Sequence, residues 1–97
     1  MRIDWDKEKE RRNQAKHGVS FQEVASLFTS GADYLEIFDE DNSVSEDRFK
    51  CIGPIVRGIV VVITAEPDEE TLRIISARRA TRRECELYAR YVGGDGL

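Results

Sequence analysis

The hydrophobic and polar positions follow a helical pattern in the first third of the chain. Residues 4–17 contain no β-branched side chain and are rich in Lys, Glu, Arg, Gln and Ala, which are good helix formers. Gly18 follows Lys16 and His17, and cations in the last turn followed by glycine are typical of a helix C-terminus. The sequence therefore predicts a first helix over residues 4–17 that ends at Gly18.

A second helix is predicted directly after the first. Ser20 and Glu23 have the spacing of a capping box, in which the two side chains bond backbone N–H groups at a helix start. The apolar residues that follow recur at helical spacing and share one face. These residues are Phe21, Val24, Ala25 and Phe28. We expect this face to pack on a sheet, and we expect Gly31 to end the helix.

From Asp33 onward the pattern changes to the alternation that is typical of β-strands. The predicted strands are residues 34–38, 46–53, 57–64 and 71–76. Acidic turns at 39–43 and 66–70, and a Gly53-Pro54 turn signal, separate these strands. Such short connections predict an antiparallel meander, in which the apolar strand 57–64 is central.

A last helix is predicted over residues 82–92. Thr81 and Glu84 form a second capping box at its start, and Gly93 with Gly94 ends it. The predicted order is α-α-β-β-β-β-α, with the helices at the two ends of the chain. This order indicates the α+β class, as a single domain over residues 1–97 with a four-stranded antiparallel sheet.

Size and composition limit the possible functions. A chain of 97 residues supports one modest core, so we expect no deep cofactor cleft and no cofactor. No apolar run approaches the ~20 residues that cross a bilayer, and the N-terminus has no apolar leader. We therefore expect a cytoplasmic protein without membrane contact. Cys51 and Cys85 are expected to be packing residues, and His17 is the one histidine, so no metal site is expected.

The distribution of charge matters more than its total. The net charge is −4, which by itself argues against a nucleic-acid partner. However, residues 73–97 contain six arginines and only three acidic residues. Because salt screens charge effects beyond about 8–10 Å, a local basic surface can still bind phosphate.

Several strings of residues resemble the BrnT family of toxins, which are RelE-like ribonucleases of type II toxin–antitoxin systems. The resemblance covers residues 3–91. Its strongest parts are Lys-His-Gly-Val-Ser-Phe at 16–21 and Arg-Ile-Ile-Ser-Ala-Arg-Arg-Ala at 73–80. Further matches are Trp5-Asp6, Asn13, Glu46, Arg48, Ile52-Gly53, Arg83-Glu84 and Tyr88.

The resemblance implies a RelE-like fold with two N-terminal helices, an antiparallel sheet and a C-terminal helix. It also implies RNA cleavage that arrests translation. The implied partner is a BrnA-like antitoxin with a ribbon-helix-helix domain, which neutralises the toxin. Operator DNA would then be contacted only indirectly, through the antitoxin.

Two groups of residues could supply the chemistry of metal-independent RNA cleavage, which needs a base, an acid and a cation for the phosphate. In the first group, alternation places Glu46, Arg48 and Lys50 on one strand face, where the two cations could hold phosphate and Glu46 could orient them. The alternative is a solvated strand face whose charges pair with one another.

The second group is Arg73, Ser76, Arg78 and Arg79. Alternation predicts that Ser76 and Arg78 share one face while Arg73 and Arg79 point to the other. The alternative is an arginine-rich helix start that binds acidic groups of the antitoxin or the protein's own acidic turns. The predicted catalytic residues of both groups are Glu46, Arg48, Lys50, Ser76 and Arg78.

Other residues are candidate contacts for RNA or antitoxin. The RNA-binding candidates are Lys16, His17, Arg57 and Arg79. The antitoxin-binding candidates are Arg79, Arg83 and Tyr88. His17 has an alternative structural role, because a cation stabilises the C-terminus of a helix.

The chain departs from the family pattern in its central strand. Members commonly show a Gly-Arg pair at the start of this strand and an arginine after the threonine that ends it. Here Ile59 follows Gly58, and Ala65-Glu66 follows Thr64, so the second position is acidic. Arg57, one position before Gly58, could replace the first arginine, but alternation points it to the opposite face. Two hypotheses follow: a ribonuclease toxin, or a catalytically weakened protein that binds the antitoxin as a co-repressor.

Overall fold

Three helices and five strands make up residues 1–94, which are the residues that the computed structural model describes. The elements, in chain order, are β1 (Arg2–Trp5), α1 (Lys7–His17), α2 (Phe21–Thr29), β2 (Leu35–Phe38), β3 (Arg48–Ile55), β4 (Gly58–Asp68), β5 (Thr71–Arg79) and α3 (Arg82–Gly93). A single 3₁₀ turn, Glu40–Asn42, lies in the β2–β3 connection. The predicted α+β class is confirmed, with helices at both ends and most strands between them.

The first strand corrects the prediction that a helix begins at Asp4. The α1 helix is instead capped by Asp6, whose carboxylate accepts a hydrogen bond from Lys9 N at 2.9 Å. The preceding Arg2–Trp5 pairs in parallel with β5 and extends the sheet to five strands in the order β1-β5-β4-β3-β2. Local pattern did not indicate this strand, because its partner lies almost seventy positions away.

Gly53 lies inside β3 and does not form the predicted turn with Pro54. A Cβ atom at this buried position would lie 2.5 Å from Leu27 Cδ1 and 2.8 Å from Tyr34 Cβ. Glycine is therefore required because α2 and the residue just before β2 approach the strand backbone closely. The predicted acidic turn at 66–70 is also shorter, since β4 continues to Asp68.

The sheet has a core face and an α3 face. The core face carries Cys51, Val60, Val62, Ile74 and Ala77, which pack with buried side chains of α2 and the α1–α2 connection. The α3 face is the opposite side, where α3 contacts β3 and where Ile52 and Val61 are buried. The core face is thus covered by α1 and α2, and the opposite face is contacted by α3.

The Asn13 side chain forms hydrogen bonds with the backbone of β5 at a position where no strand pairs with it on that side. The β1 strand pairs with β5 only as far as Ile74, so the backbone of Ala77 has no strand on that side. The Asn13 side chain accepts from Ala77 N at 3.1 Å and donates to Ala77 O at 2.8 Å. It also donates to Val19 O at 3.2 Å. This buried amide thus satisfies backbone groups that would otherwise be unpaired.

Both predicted capping boxes are present, at Ser20 with Glu23 and at Thr81 with Glu84. Cys51 and Cys85 are free thiols, and burial raises the pKa of Cys51 to about 12. Within residues 1–94, no helix has the length and apolar character that would let it cross a membrane.

Candidate functional site

A β-bulge in β5 decides which side chains share the α3 face. Ser76 lies opposite Ile63 on β4, but Ile74 lies opposite the next residue, Thr64. Ile75 is therefore an extra residue without a partner, and it shifts the alternation by one position. Arg73 consequently lies on the same side as Ser76, and the prediction that it points away from Ser76 is wrong.

Two lines of paired residues run across the strands on the α3 face. One line joins Arg48, Ala65 and Arg73, and the other joins Lys50, Ile63 and Ser76. Arg78 lies opposite Val61 on the same face, whereas Arg79 lies opposite Val60 of the core face. The two groups of candidates from the sequence therefore meet on one surface. We call Arg48, Lys50, Arg73, Ser76 and Arg78 the cationic row.

Glu84 joins two members of the cationic row. Its carboxylate accepts hydrogen bonds from both terminal nitrogens of Arg78, at 2.7 and 2.9 Å. The Lys50 ammonium lies 2.9 Å from the same carboxylate. The hydrogen bonds from Arg78 lower the pKa of Glu84 and raise that of Arg78. Both groups are therefore charged, and the α3 helix start is attached to β3 and β5.

The other two cations of the row have their own acidic partners. Arg48 Nη2 lies 3.5 Å from Glu46 Oε2, and Glu46 is in the connection before β3. Arg73 Nε lies 3.0 Å from Asp4 Oδ1, and this pairing raises the pKa of Arg73. Arg48 Nε is buried and has no hydrogen-bond partner within residues 1–94. The guanidinium of Arg48 therefore makes its hydrogen bond to Glu46 through a terminal nitrogen, Nη2.

The predicted RNA-binding residues lie apart from the cationic row. Lys16 and His17 are exposed in the last turn of α1. Arg57 is in the β3–β4 turn and donates to Glu23 Oε1 at 2.7 Å and to Gly18 O at 2.7 Å. Arg79 donates to Arg57 O at 3.4 Å. Lys16, His17 and Arg57 lie at the α1–α2 connection and the β3–β4 turn, and Arg79 follows Arg78 in the chain but lies on the opposite face of the sheet.

The remaining antitoxin candidates are on α3. Arg83 is exposed and lines a shallow groove with Glu86, Leu87 and Arg90. The Tyr88 hydroxyl donates to Asp33 O at 2.7 Å, and partial burial raises its pKa. Arg83 is thus open to a partner, while the Tyr88 hydroxyl binds α3 to the segment before β2.

Sequence reasoning missed two acidic residues of this surface. The sequence pattern explains Glu84 by the capping box alone, and it predicts Asp4 to lie in a helix. The signal for Glu84 was available, because the N3 position of a helix that directly follows Arg78 and Arg79 places a carboxylate close to both. In the described part of the chain, no three His, Cys, Asp or Glu side chains are grouped as metal ligands.

The fold is that of a solved ribonuclease toxin. The crystal structure of the Brucella abortus ribonuclease toxin BrnT matches 84% of this chain and 99% of its own, with 30% sequence identity and a TM-score of 0.63. A family profile described as "Ribonuclease toxin, BrnT, of type II toxin-antitoxin system" matches residues 5–84. No curated protein gave a significant match.

This chain therefore belongs to the BrnT family of ribonuclease toxins. The resemblance noted in the sequence is confirmed, and so is the fold that it implied. The sheet has five strands, one more than the alternation pattern predicted. A type II system pairs its toxin with an antitoxin, so the family also implies a protein partner.

Proposed function

We propose that this chain is a metal-independent endoribonuclease of the cytoplasm, and that the cationic row is where it cleaves RNA and thereby inhibits translation. The observation that carries the proposal is the alignment of Arg48 and Lys50 on β3 with Ser76 and Arg78 on β5, all on one side of the sheet. Cations mounted on strands present positive charge in fixed positions. Such charge stabilises the extra negative charge of a phosphate transition state.

The proposed reaction is attack of an RNA 2′-OH on the adjacent phosphorus. The 2′-oxygen forms a bond to phosphorus while the bond to the 5′-oxygen breaks. The products are a 2′,3′-cyclic phosphate and a 5′-hydroxyl. The 2′-OH loses one proton and the departing oxygen gains one, so the reaction balances without a co-reactant. Negative charge that develops on the non-bridging oxygens is stabilised by the guanidinium of Arg48 and the ammonium of Lys50.

Glu46 and Ser76 support this arrangement. Glu46 lies against Arg48 Nη2 and can hold that guanidinium in one orientation. Ser76 and Lys50 lie on the two sides of Ile63, because each of them is paired with this residue of β4. A serine hydroxyl both donates and accepts hydrogen bonds, so it suits a ribose hydroxyl or a phosphate oxygen. We assign secondary RNA contacts to the candidates outside the row: Lys16, His17, Arg57 and Arg79.

The test is expression of the chain alone in a bacterial host, with growth, labelled amino-acid incorporation and total-RNA integrity followed over time. We expect growth arrest and RNA loss, and we expect Arg48→Met and Lys50→Met each to relieve both effects. Arg11→Met is the matched control, because it removes one exposed positive charge from α1. If both variants arrest growth as the wild type does at equal protein level, this site assignment is wrong.

We also propose that the antitoxin partner carries a ribbon-helix-helix domain and binds this chain through Arg79, Arg83 and Tyr88. Operator DNA is then reached only through the antitoxin. Arg79 and Arg83 are both exposed, so acidic groups of a partner can reach them. We expect Arg83→Glu to weaken binding of the antitoxin, and Arg82→Glu, at a side chain that is 94% exposed, to serve as control.

A second candidate function is a co-repressor that binds the antitoxin but cleaves RNA weakly. The observation that favours it is Glu66, which follows Thr64 and Ala65 at the position where family members commonly carry an arginine. Glu66 is exposed, so the end of β4 carries a carboxylate in place of a candidate phosphate-binding cation. Intact antitoxin binding together with intact RNA in the expression test would select this function.

A further inference from the structure

The Glu84 carboxylate collects donors from three separate parts of the chain. It binds Lys50 from β3, the Arg78 guanidinium from the end of β5, and the backbone N–H of Thr81 at 2.8 Å. Its side chain is only 13% exposed. A partly buried carboxylate with several charge-assisted hydrogen bonds has one favoured position, and so do the groups that it binds.

We propose that Glu84 is a positioning residue that holds the Lys50 ammonium in place for the RNA phosphate, with Arg78 as its support. The inference rests on the proposed function and adds a residue and a division of roles within the cationic row. Lys50 touches the phosphate in this account, whereas Glu84 and Arg78 act through Lys50.

The hydrogen bonds of Arg78 set its role. Both of its terminal nitrogens donate to Glu84, and one of them also donates to Arg79 O at 3.3 Å. A phosphate could use this fork only if Glu84 left it. Arg78 therefore neutralises and orients Glu84, and this fork is closed to the RNA phosphate while Glu84 binds it.

The geometry of Lys50 differs from that of Arg78. Among residues 1–94, Glu84 is the one acidic partner within salt-bridge distance of Lys50, whose side chain is 33% exposed. An ammonium carries three N–H groups, so a bond to Glu84 leaves others that a phosphate oxygen can accept. A flexible lysine held at one N–H loses fewer conformations when it binds the transition state.

The test compares Glu84→Gln with Glu86→Gln in purified protein, using a short synthetic RNA. Glutamine at position 84 keeps the capping-box acceptor but removes the charge that binds Lys50 and Arg78. Glu86 is an exposed carboxylate on the same helix, so its variant makes the same charge change away from Lys50. Thr81→Ala is a second control, because it removes the hydroxyl that caps α3 and leaves the carboxylate.

We expect Glu84→Gln to lower kcat about 10- to 100-fold with KM changed less than about threefold, because a misplaced group affects the transition state most. We expect Glu86→Gln to cleave as the wild type does. In the presence of Lys50→Met, Glu84→Gln should cause no further loss, since it acts through Lys50. By NMR, the Lys50 ammonium should be ordered in wild type and in Glu86→Gln, and mobile in Glu84→Gln.

Three results would overturn the proposal. Faster cleavage or a lower KM in Glu84→Gln would mean that Glu84 occupies the phosphate position and inhibits. A loss no larger than that of Thr81→Ala would mean a purely structural role for Glu84. An unchanged Lys50 order parameter would exclude positioning. If wild-type protein cleaved no RNA, the proposed function would fail, and the order parameter would still decide whether Glu84 holds Lys50.

Discussion

Arg73 and Ser76 lie on the same face of β5 although three positions separate them, because Ile75 is an extra residue opposite β4. Without this bulge, Arg73 would project into the core face, where Leu72 and Ile74 are buried. The bulge therefore does two things for the fold. It keeps the apolar residues of β5 in the core, and it adds Arg73 to the cationic row.

The Asn13 side chain predicts a large effect on stability from one small substitution. We expect Asn13→Ala to lower the free energy of unfolding by about 2–4 kcal/mol, because it leaves buried groups of Ala77 and Val19 without partners. Urea denaturation measures this change. Gln14→Ala, at the exposed neighbouring position, should leave stability within about 0.5 kcal/mol of wild type. Equal stability of the two variants would contradict the role assigned to Asn13.

Gly53 predicts a steric effect. We expect Gly53→Ala to lower the free energy of unfolding by about 1–3 kcal/mol, because its Cβ would overlap Leu27 Cδ1. Thermal unfolding measures this loss. Gly93→Ala is the matched control, since nothing lies near its Cβ, and it should be neutral or stabilising by up to about 1 kcal/mol. A Gly53→Ala protein as stable as wild type would show that α2 and β2 can move away from β3.

The ion pair between Glu23 and Arg57 predicts that the protein loses stability at low pH. The hydrogen bonds from Arg57, and then that from Ser20, lower the pKa of Glu23 from its ordinary value of 4.5 to about 2. Because the folded pKa is depressed, the stabilisation is complete above pH 4.5 and is lost as the pH falls towards 2.

We expect Glu23→Gln to be less stable than wild type at neutral pH and to lose less stability between pH 4.5 and pH 2. Glutamine retains the capping box, so this difference isolates the charge that pairs with Arg57. Urea midpoints measured across this pH range test it. Glu8→Gln removes a carboxylate from the exposed surface of α1 and serves as control. Parallel curves for wild type and Glu23→Gln would contradict the prediction.

Local signals were enough to predict most of the fold. Ser20 with Glu23 and Thr81 with Glu84 mark helix starts, because each pair has the capping-box spacing in the sequence and forms the capping hydrogen bonds in the structure. Gly18 likewise marks the end of α1, with φ of 70°. Alternation placed Arg48 and Lys50 on one face correctly, because β3 pairs with β4 without interruption.

The features that sequence reasoning missed depend on partners far along the chain. The strand that contains Ile3 forms because it pairs with β5, where Leu72 is the partner of Ile3. The residues around Ile3 in the sequence do not indicate this pairing. The bulge at Ile75 is a mismatch between two strands, so neither strand shows it alone. The capping box alone explains a glutamate at position 84, so nothing in the sequence pattern requires the further contacts of Glu84 with Lys50 and Arg78.

The most direct test of the central claim is cleavage of a short synthetic RNA by the purified chain in EDTA, with the ends of the products identified. The Arg48→Met/Lys50→Met double variant is compared at equal concentration, and its urea midpoint is measured alongside. We expect wild type to produce 2′,3′-cyclic phosphate and 5′-hydroxyl ends. The double variant should cleave at least about 100-fold more slowly while remaining folded. Cleavage by the folded double variant at the wild-type rate, or none by folded wild type, would contradict the account.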